Sequence, residues 1–204
     1  LGDKDPDINP RLRTAIQAAK QANMPKDNIS RAISKSEISG DKNYESLRYE
    51  GFGPSNIALI IETLTDNKNR SASSIRTVLQ KNGGRLGETG STKHLFNNYG
   101  IIHIEKNKIS EEEAFEMTIK SGAKDCYQIG NFHEIVTIKE DFYKVKTVLE
   151  KKIDNFAYSA VEWRALNTIN LDKEQNKKMI EVLNALEELD DVQSVFTNAK
   201  LDNW

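Results

Sequence analysis

Six cations fall between Asn67 and Lys93, namely Lys68, Arg70, Arg76, Lys81, Arg85 and Lys93, and Glu88 is the only acid among them. Interleaved with them are the hydroxyls of Ser74 and Thr77 and the glycines Gly83, Gly84 and Gly87. Positive charge, short hydroxyls and unobstructed backbone in one stretch suit contact with phosphate. Each neutralised phosphate releases counterions, so such binding is salt-sensitive and carries little sequence information. A single Lys or Arg on a helix is usually only a solvated surface residue; a cluster is a stronger statement. A second set precedes it: Arg11, Arg13, Lys20, Lys26 and Arg31. With Lys68, Arg70, Lys81, Arg85 and Lys93 these form the candidate nucleic-acid-binding residues.

Other chemistries find little support. The run NGGRLGETGS resembles a phosphate cradle superficially, but it lacks the Gly-Lys-Ser/Thr ending and the dinucleotide-binding spacing. His94, His103 and His133 stand singly, at no metal-ligand spacing, beside one cysteine, Cys126. The acids Glu111 to Glu113 suit a helix N-terminus, and Glu187 to Asp191 suit a solvated helix end. No serine or cysteine lies in a nucleophile elbow. The expectation is therefore a protein that is not an enzyme and holds no cofactor or metal. Aromatic stacking platforms and a base-reading helix-turn-helix are not evident either.

Elements must position these residues. Asn9 and Pro10 open a helix in which Leu12, Ala15, Ile16, Ala19 and Ala22 repeat at helical spacing, ended by Asn23, Met24 and Pro25. A shorter helix comes next with Ile29, Ala32 and Ile33 inward, and Ser36 to Asn43 reads as a linker. Two helices with such narrow apolar faces bury little and call for residues upstream of Leu1 or a partner domain to hold them. Tyr44 to Phe52 and Ile57 to Leu64 read as strands around a Gly-Phe-Gly-Pro turn. The basic stretch then forms a helix with Ala72, Ile75, Val78 and Leu79 on one face, stopped by Gly83 and Gly84. Lys93 to Phe96 and Gly100 to Ile104 read as a hairpin about Asn97 to Tyr99.

Beyond it, Ser110 and Glu113 form a capping box for a helix with Ala114, Met117 and Ile119 on its core side. Strands at Asp125 to Ile129 and Glu134 to Ile138, a helix from Glu140 to Lys152 and a strand from Tyr158 to Trp163 succeed it. This α-β-β-α-β order suits an antiparallel sheet with both helices on one face, ferredoxin-like or a fragment of that arrangement. Asp172 and Gln175 cap a last helix, and the strand from Val192 to Asn198 could complete the sheet begun at Tyr44.

Composition is that of a soluble globular protein, and the order of elements makes its expected fold class α+β. The 204 residues are 37% hydrophobic and 29% charged, and the longest apolar run, Ile57 to Ile61, falls far short of the roughly 20 residues that span a bilayer. No membrane partner is expected. The opening LGDKDPDINP has neither a basic start nor an apolar middle, and Leu1 in place of Met puts the natural start upstream. One cysteine fits a reducing compartment, so the expected location is the cytoplasm, or the mitochondrial matrix if a transit peptide has been removed. The net charge of −2 excludes coating of nucleic acid by bulk positive potential. Its distribution is polarised: residues 1–40 hold seven Lys and Arg against five Asp and Glu, whereas residues 164–204 hold five against eight.

Three segments, DPDINPRLRTAIQAAKQANMPKDNISRAI, YEGFGPSNIALIIETLTDNKNRSASSIRTVLQKNGGRLGETGS and LDDVQSVFTNA, closely resemble the YebC family. That family includes the bacterial regulators called PmpR and the mitochondrial translational activator of cytochrome c oxidase. The resemblance runs in order from Asp5 to Ala199, although the family's basic opening of the GHSKW type is absent before Leu1. It implies a three-domain fold: a helical N-terminal domain (1–40), a central α/β domain (44–105 plus 165–204) and an inserted ferredoxin-like domain (106–164). It implies a cytoplasmic DNA-binding transcriptional regulator or, as in other members, a translation factor that meets structured or ribosomal RNA at the ribosome. A protein interaction module, suggested by the acidic rear half, is the third reading. A monomer is expected.

Overall fold

The computed structural model describes residues 5, 6, 8–21, 24–38 and 44–201. In chain order the elements are α1 (Pro10–Gln21), α2 (Lys26–Ile38), β1 (Glu45–Phe52), β2 (Ala58–Thr65), α3 (Lys68–Lys81), β3 (Arg85–Leu86), β4 (Phe96–Glu105), α4 (Glu111–Ser121), β5 (Asp125–Ile129), β6 (Phe132–Ile138), α5 (Phe142–Leu149), β7 (Tyr158–Ala165), β8 (Ile169–Asn170), α6 (Lys173–Glu187), β9 (Val192–Thr197) and β10 (Ala199–Lys200). No helix among the described residues is long and apolar enough to cross a membrane. The chain divides into two compact units, Asn43–Asn98 with Trp163–Trp204, and Leu1–Lys42 with Tyr99–Glu162.

The first unit is built on a sheet of order β3-β1-β2-β9, antiparallel throughout. Its central strand β2 opens on the apolar run Ala58 to Ile61, because both faces of the sheet are covered there. Ile57, Leu59 and Ile61 pack with Ile75 and Leu79 of α3 and with Met179, Leu183 and Leu186 of α6. Ala58 and Ile60 face the other way, against Phe96 and Trp163. Each fully buried Ile or Leu here contributes roughly 1.5–3 kcal/mol, so this strand anchors everything attached to it. The C-terminal strand β9 completes the sheet beside β2, in the register Leu59↔Thr197 to Ile61↔Val195.

The second unit contains a sheet of order β5-β6-β4-β7, with α4 and α5 packed on it. The hairpin expected around Asn97 to Tyr99 does not form. Residues Phe96–Glu105 are one continuous strand, paired with β6 from Tyr99↔Ile138 to Glu105↔Phe132. Gly100 reads like a turn residue but serves close packing: a Cβ there would sit 2.5 Å from the Phe142 ring. With β4 as first strand the order is β-α-β-β-α-β, the full ferredoxin-like sequence of elements.

Two helices also differ in detail from expectation. Residues Lys139–Asp141 form a 3-10 turn, so α5 itself spans only Phe142–Leu149. In α4, Ala114, Met117, Thr118 and Ser121 face the core, whereas Ile119 points out, 64% exposed. Ile119 lies about 140° around the helix from Ala114 at 100° per residue.

The N-terminal helices belong to this second unit. Asn9 caps α1, accepting from the Leu12 amide at 3.2 Å. The buried Lys146 of α5 donates to Thr14 Oγ1 and Gln17 Oε1 of α1, each at 3.0 Å. Burial lowers its pKa, and Glu150 opposes that shift. In α2 Ile29 is buried and Ile33 half-buried, but Ala32 is exposed. That helix runs to Ile38, into the stretch read as a linker; residues 39–43 lie outside the described residues, as do Ala22 and Asn23.

Candidate nucleic-acid interface

The helix α3 carries the basic stretch. Asn67 starts it by accepting from the Arg70 amide at 3.1 Å, and the Tyr49 hydroxyl donates to the Lys68 carbonyl at 2.9 Å, fixing the first turn to β1. Ser71, Ile75 and Leu79 are buried against the sheet, which fixes the helix's rotation. Ser73, Arg76, Thr77, Gln80 and Lys81 are turned to solvent. Arg76 and Lys81 form no ion pair among the described residues, so their charge is available. From Lys68 to Lys81 the helix is roughly 20 Å long at 1.5 Å per residue.

Arg70 behaves differently from expectation. Its Nη2 lies 2.7 Å from Asp191 Oδ1 and 2.8 Å from Asp66 Oδ1, and its Nε is 3.2 Å from Asp191 Oδ2. The Ser71 hydroxyl donates to the same Asp191 carboxylate at 2.7 Å. The Arg70 hydrogen bond, ahead of an opposing cost of burial, lowers the Asp191 pKa. Arg70 thus ties the start of α3 to the turn before β9, and two carboxylates neutralise the charge that phosphate would need.

The helix ends in a Schellman motif. Gly83, at φ +76°, and Gly84 donate to the Gln80 and Leu79 carbonyls at 3.3 and 2.7 Å. Gly84 must lack a side chain, because a Cβ would collide with the Phe52 carbonyl oxygen. The chain then runs into β3, where the Arg85 guanidinium stacks over Phe52, 4.3 Å from the ring centroid.

The glycine-rich loop after β3 is no phosphate cradle, because its amides are already occupied. The buried Glu50 carboxylate accepts from the amides of Gly90 (2.9 Å), Thr92 (2.8 Å) and Lys93 (2.8 Å), and from the Thr92 hydroxyl (3.2 Å). Burial pushes the Glu50 pKa up, yet these hydrogen bonds outweigh it and hold the pKa below the ordinary glutamate range. An internal anion fills the nest, and the side chains of Arg85 and Lys93 are exposed.

Of the ten candidate residues, Lys68, Arg70 and Lys81 are exposed on α3, and Arg85 and Lys93 are exposed on the strand and loop that follow it. Lys20, Lys26 and Arg31 are exposed and Arg13 half-buried on the helices of the other unit, and the Arg11 side chain lies outside the described residues. Arg76 belongs with the first set; its position on the flank of the Ile75 and Leu79 stripe, clear of the buried residues, was the available signal. Glu50 carried none, since a lone acid in a strand does not announce its partners. The histidines sit apart: His133 is buried, 3.0 Å from the Ile109 carbonyl and 2.9 Å from Gln128, while His103 faces Glu134 at 2.8 Å and His94 is exposed.

Comparison with known proteins gives a consistent result along the chain. Residues 1–38 match the family described as TACO1/YebC protein N-terminal domain, and residues 44–199 the one described as TACO1/YebC second and third domain. A probable transcriptional regulatory protein of Pelagibacter ubique is 54% identical over 203 residues, covering 100% of this chain and 84% of that protein. One of the same description from Zymomonas mobilis is 45% identical, covering 99% of this chain and 81% of the relative. A crystal structure of a conserved hypothetical protein from Aquifex aeolicus superposes with a TM-score of 0.82 at 42% identity, covering 100% of this chain and 84% of that one.

Proposed function

The chain belongs to the TACO1/YebC family, and on that basis we propose that it is a non-enzymatic regulator of gene expression that binds duplex DNA through the solvent face of α3 and the loop from Arg85 to Lys93. The observation that carries this reading is the contrast along α3: Arg70 is held by internal acids, while Arg76 and Lys81 are exposed and unpaired. A helix laid on a sheet with only its polar face outward can enter a major groove, and Arg76 and Gln80 are side chains able to meet base edges there. Lys68, Lys81, Arg85 and Lys93 would neutralise flanking phosphates. The relatives named as probable transcriptional regulatory proteins support the regulatory role.

Gel-shift titration of a promoter fragment with Arg76→Glu/Lys81→Glu tests it. Loss of binding by the double variant, with Arg70→Ala close to wild type, is the expected result. Retained binding by the double variant refutes the proposed surface. Structured ribosomal RNA is the second reading, favoured by the phosphate-directed character of the Lys68, Lys81 and Lys93 side chains, which no base pattern restricts to DNA. Preferential co-sedimentation with ribosomes at low salt, over binding to promoter DNA, would select it.

A further inference from the structure

The strand β5 ends its sheet. One edge pairs with β6 from Asp125↔Val136 to Ile129↔Phe132, and the other faces no strand of that sheet. The Cys126 amide donates to Oδ1 of the preceding residue, Asp125, at 2.9 Å. Soluble proteins usually blunt such an edge with lysine, proline, a bulge or a covering segment. Here the strand reads DCYQI, and Tyr127 and Ile129 are 49% and 45% exposed.

Beside this edge runs one flank of α4, with Glu111, Glu112, Phe115 and Ile119 on it. Phe115 is 59% exposed. Between the flank and the strand lies an open groove of about 670 Å³, lined by Ser110, Glu111, Glu112, Phe115, Cys126 and Gln128. Glu111 and Glu112 form no ion pair among the described residues, whereas Glu116 on the far flank is held by Lys120 at 2.7 Å.

We propose that the β5 edge and the α4 flank form a docking groove for an extended segment of a protein partner, one that alternates lysine or arginine with apolar residues and adds to the sheet as a fifth strand. The alternation comes from the pleat. Side chains of an added strand point to opposite faces in turn. Those on the helix side enter the groove where Cys126 and Gln128 point, meeting Phe115 with an aliphatic stem and Glu111 or Glu112 with a charged tip. Those on the other side lie against Tyr127 and Ile129. A second copy of this chain fits less well, because its own edge and α4 flank would double the carboxylates in the groove and bring no cation. The proposal is independent of nucleic-acid binding.

The test uses the full chain, isotope-labelled, titrated with a blocked eight-residue peptide alternating Lys and Val, and with its counterpart carrying Glu for Lys. The proposal expects amide shifts confined to β5 and the α4 flank with the Lys peptide and none with the Glu peptide. Glu111→Gln/Glu112→Gln should weaken binding about fivefold, and Ile129→Lys should weaken it independently; unchanged shifts elsewhere certify that both variants are folded. Absence of shifts at millimolar peptide, equal binding of the Glu peptide, or shifts away from β5 would overturn it. So would concentration-dependent pairing of β5 between copies with no response to peptide.

Discussion

Arg70 grips Asp191 across 121 residues of sequence with two hydrogen bonds, 2.7 and 3.2 Å long, and takes Asp66 in the same hand at 2.8 Å. The clamp joins the beginning of the basic helix to the turn that delivers the last long strand. Within a run of six cations, one is thereby an architectural residue.

Arg70→Ala should therefore act on stability more than on binding. The Arg70 side chain is half exposed, which screens the pair, so the loss expected is small. Chemical denaturation should show that loss, and nucleic-acid affinity should stay within about twofold of wild type. A larger effect on affinity than on stability would return Arg70 to the interface.

The nest around Glu50 predicts an acid-sensitive loop. The folded-state pKa is lowered, so the stabilisation is fully present above the ordinary glutamate value of 4.5 and is lost as pH falls through the lower, folded-state value. Hydrogen exchange at the Gly90, Thr92 and Lys93 amides should accelerate in that acid range. Glu50→Ala, which leaves three inward amides unpaired, should cost about 3 kcal/mol and open the same amides at neutral pH.

Two glycines should be intolerant for reasons unrelated to turns. Gly100→Ala would drive a methyl into the Phe142 ring and Gly84→Ala into the Phe52 carbonyl. Overpacking of this kind costs roughly 1–3 kcal/mol, and thermal unfolding should show it in both. Gly90→Ala meets no neighbouring atom within 4 Å, but its φ of +90° still disfavours a side chain.

Lys146 holds α1 by two hydrogen bonds from a buried ammonium. Lys146→Met should keep the sheet folded, since a desolvated charge is removed together with its bonds, while loosening α1. Loss of amide protection in α1 with unchanged protection in β4 and β6 is the expected pattern.

Much of the fold was legible in the sequence, and the misses share a cause. Caps and helix stops carry their own local chemistry, so Ser110 with Glu113, Asp172 with Gln175 and the Gly83 terminus all stand where expected. The return of β9 to the first sheet was also readable. What failed were features set by contacts far away in the chain. Gly100 looks like a turn until Phe142 lies over it, Ile119 like core until the helix is rotated by its neighbours, and Arg70 like a phosphate ligand until Asp191 arrives. The acid Glu50 and the exposed edge of β5 are tertiary facts of the same kind.

The salt dependence of duplex DNA affinity is the sharpest probe of a DNA-binding face on α3. Each phosphate contact steepens the plot of log affinity against log salt by about 0.9. Fluorescence anisotropy on wild type, Arg70→Ala and Arg76→Glu/Lys81→Glu should give equal slopes for the first two and a slope shallower by about one for the third, in which Lys81 is the phosphate contact removed. Equal slopes for all three proteins, or a shallower slope for Arg70→Ala alone, would contradict it.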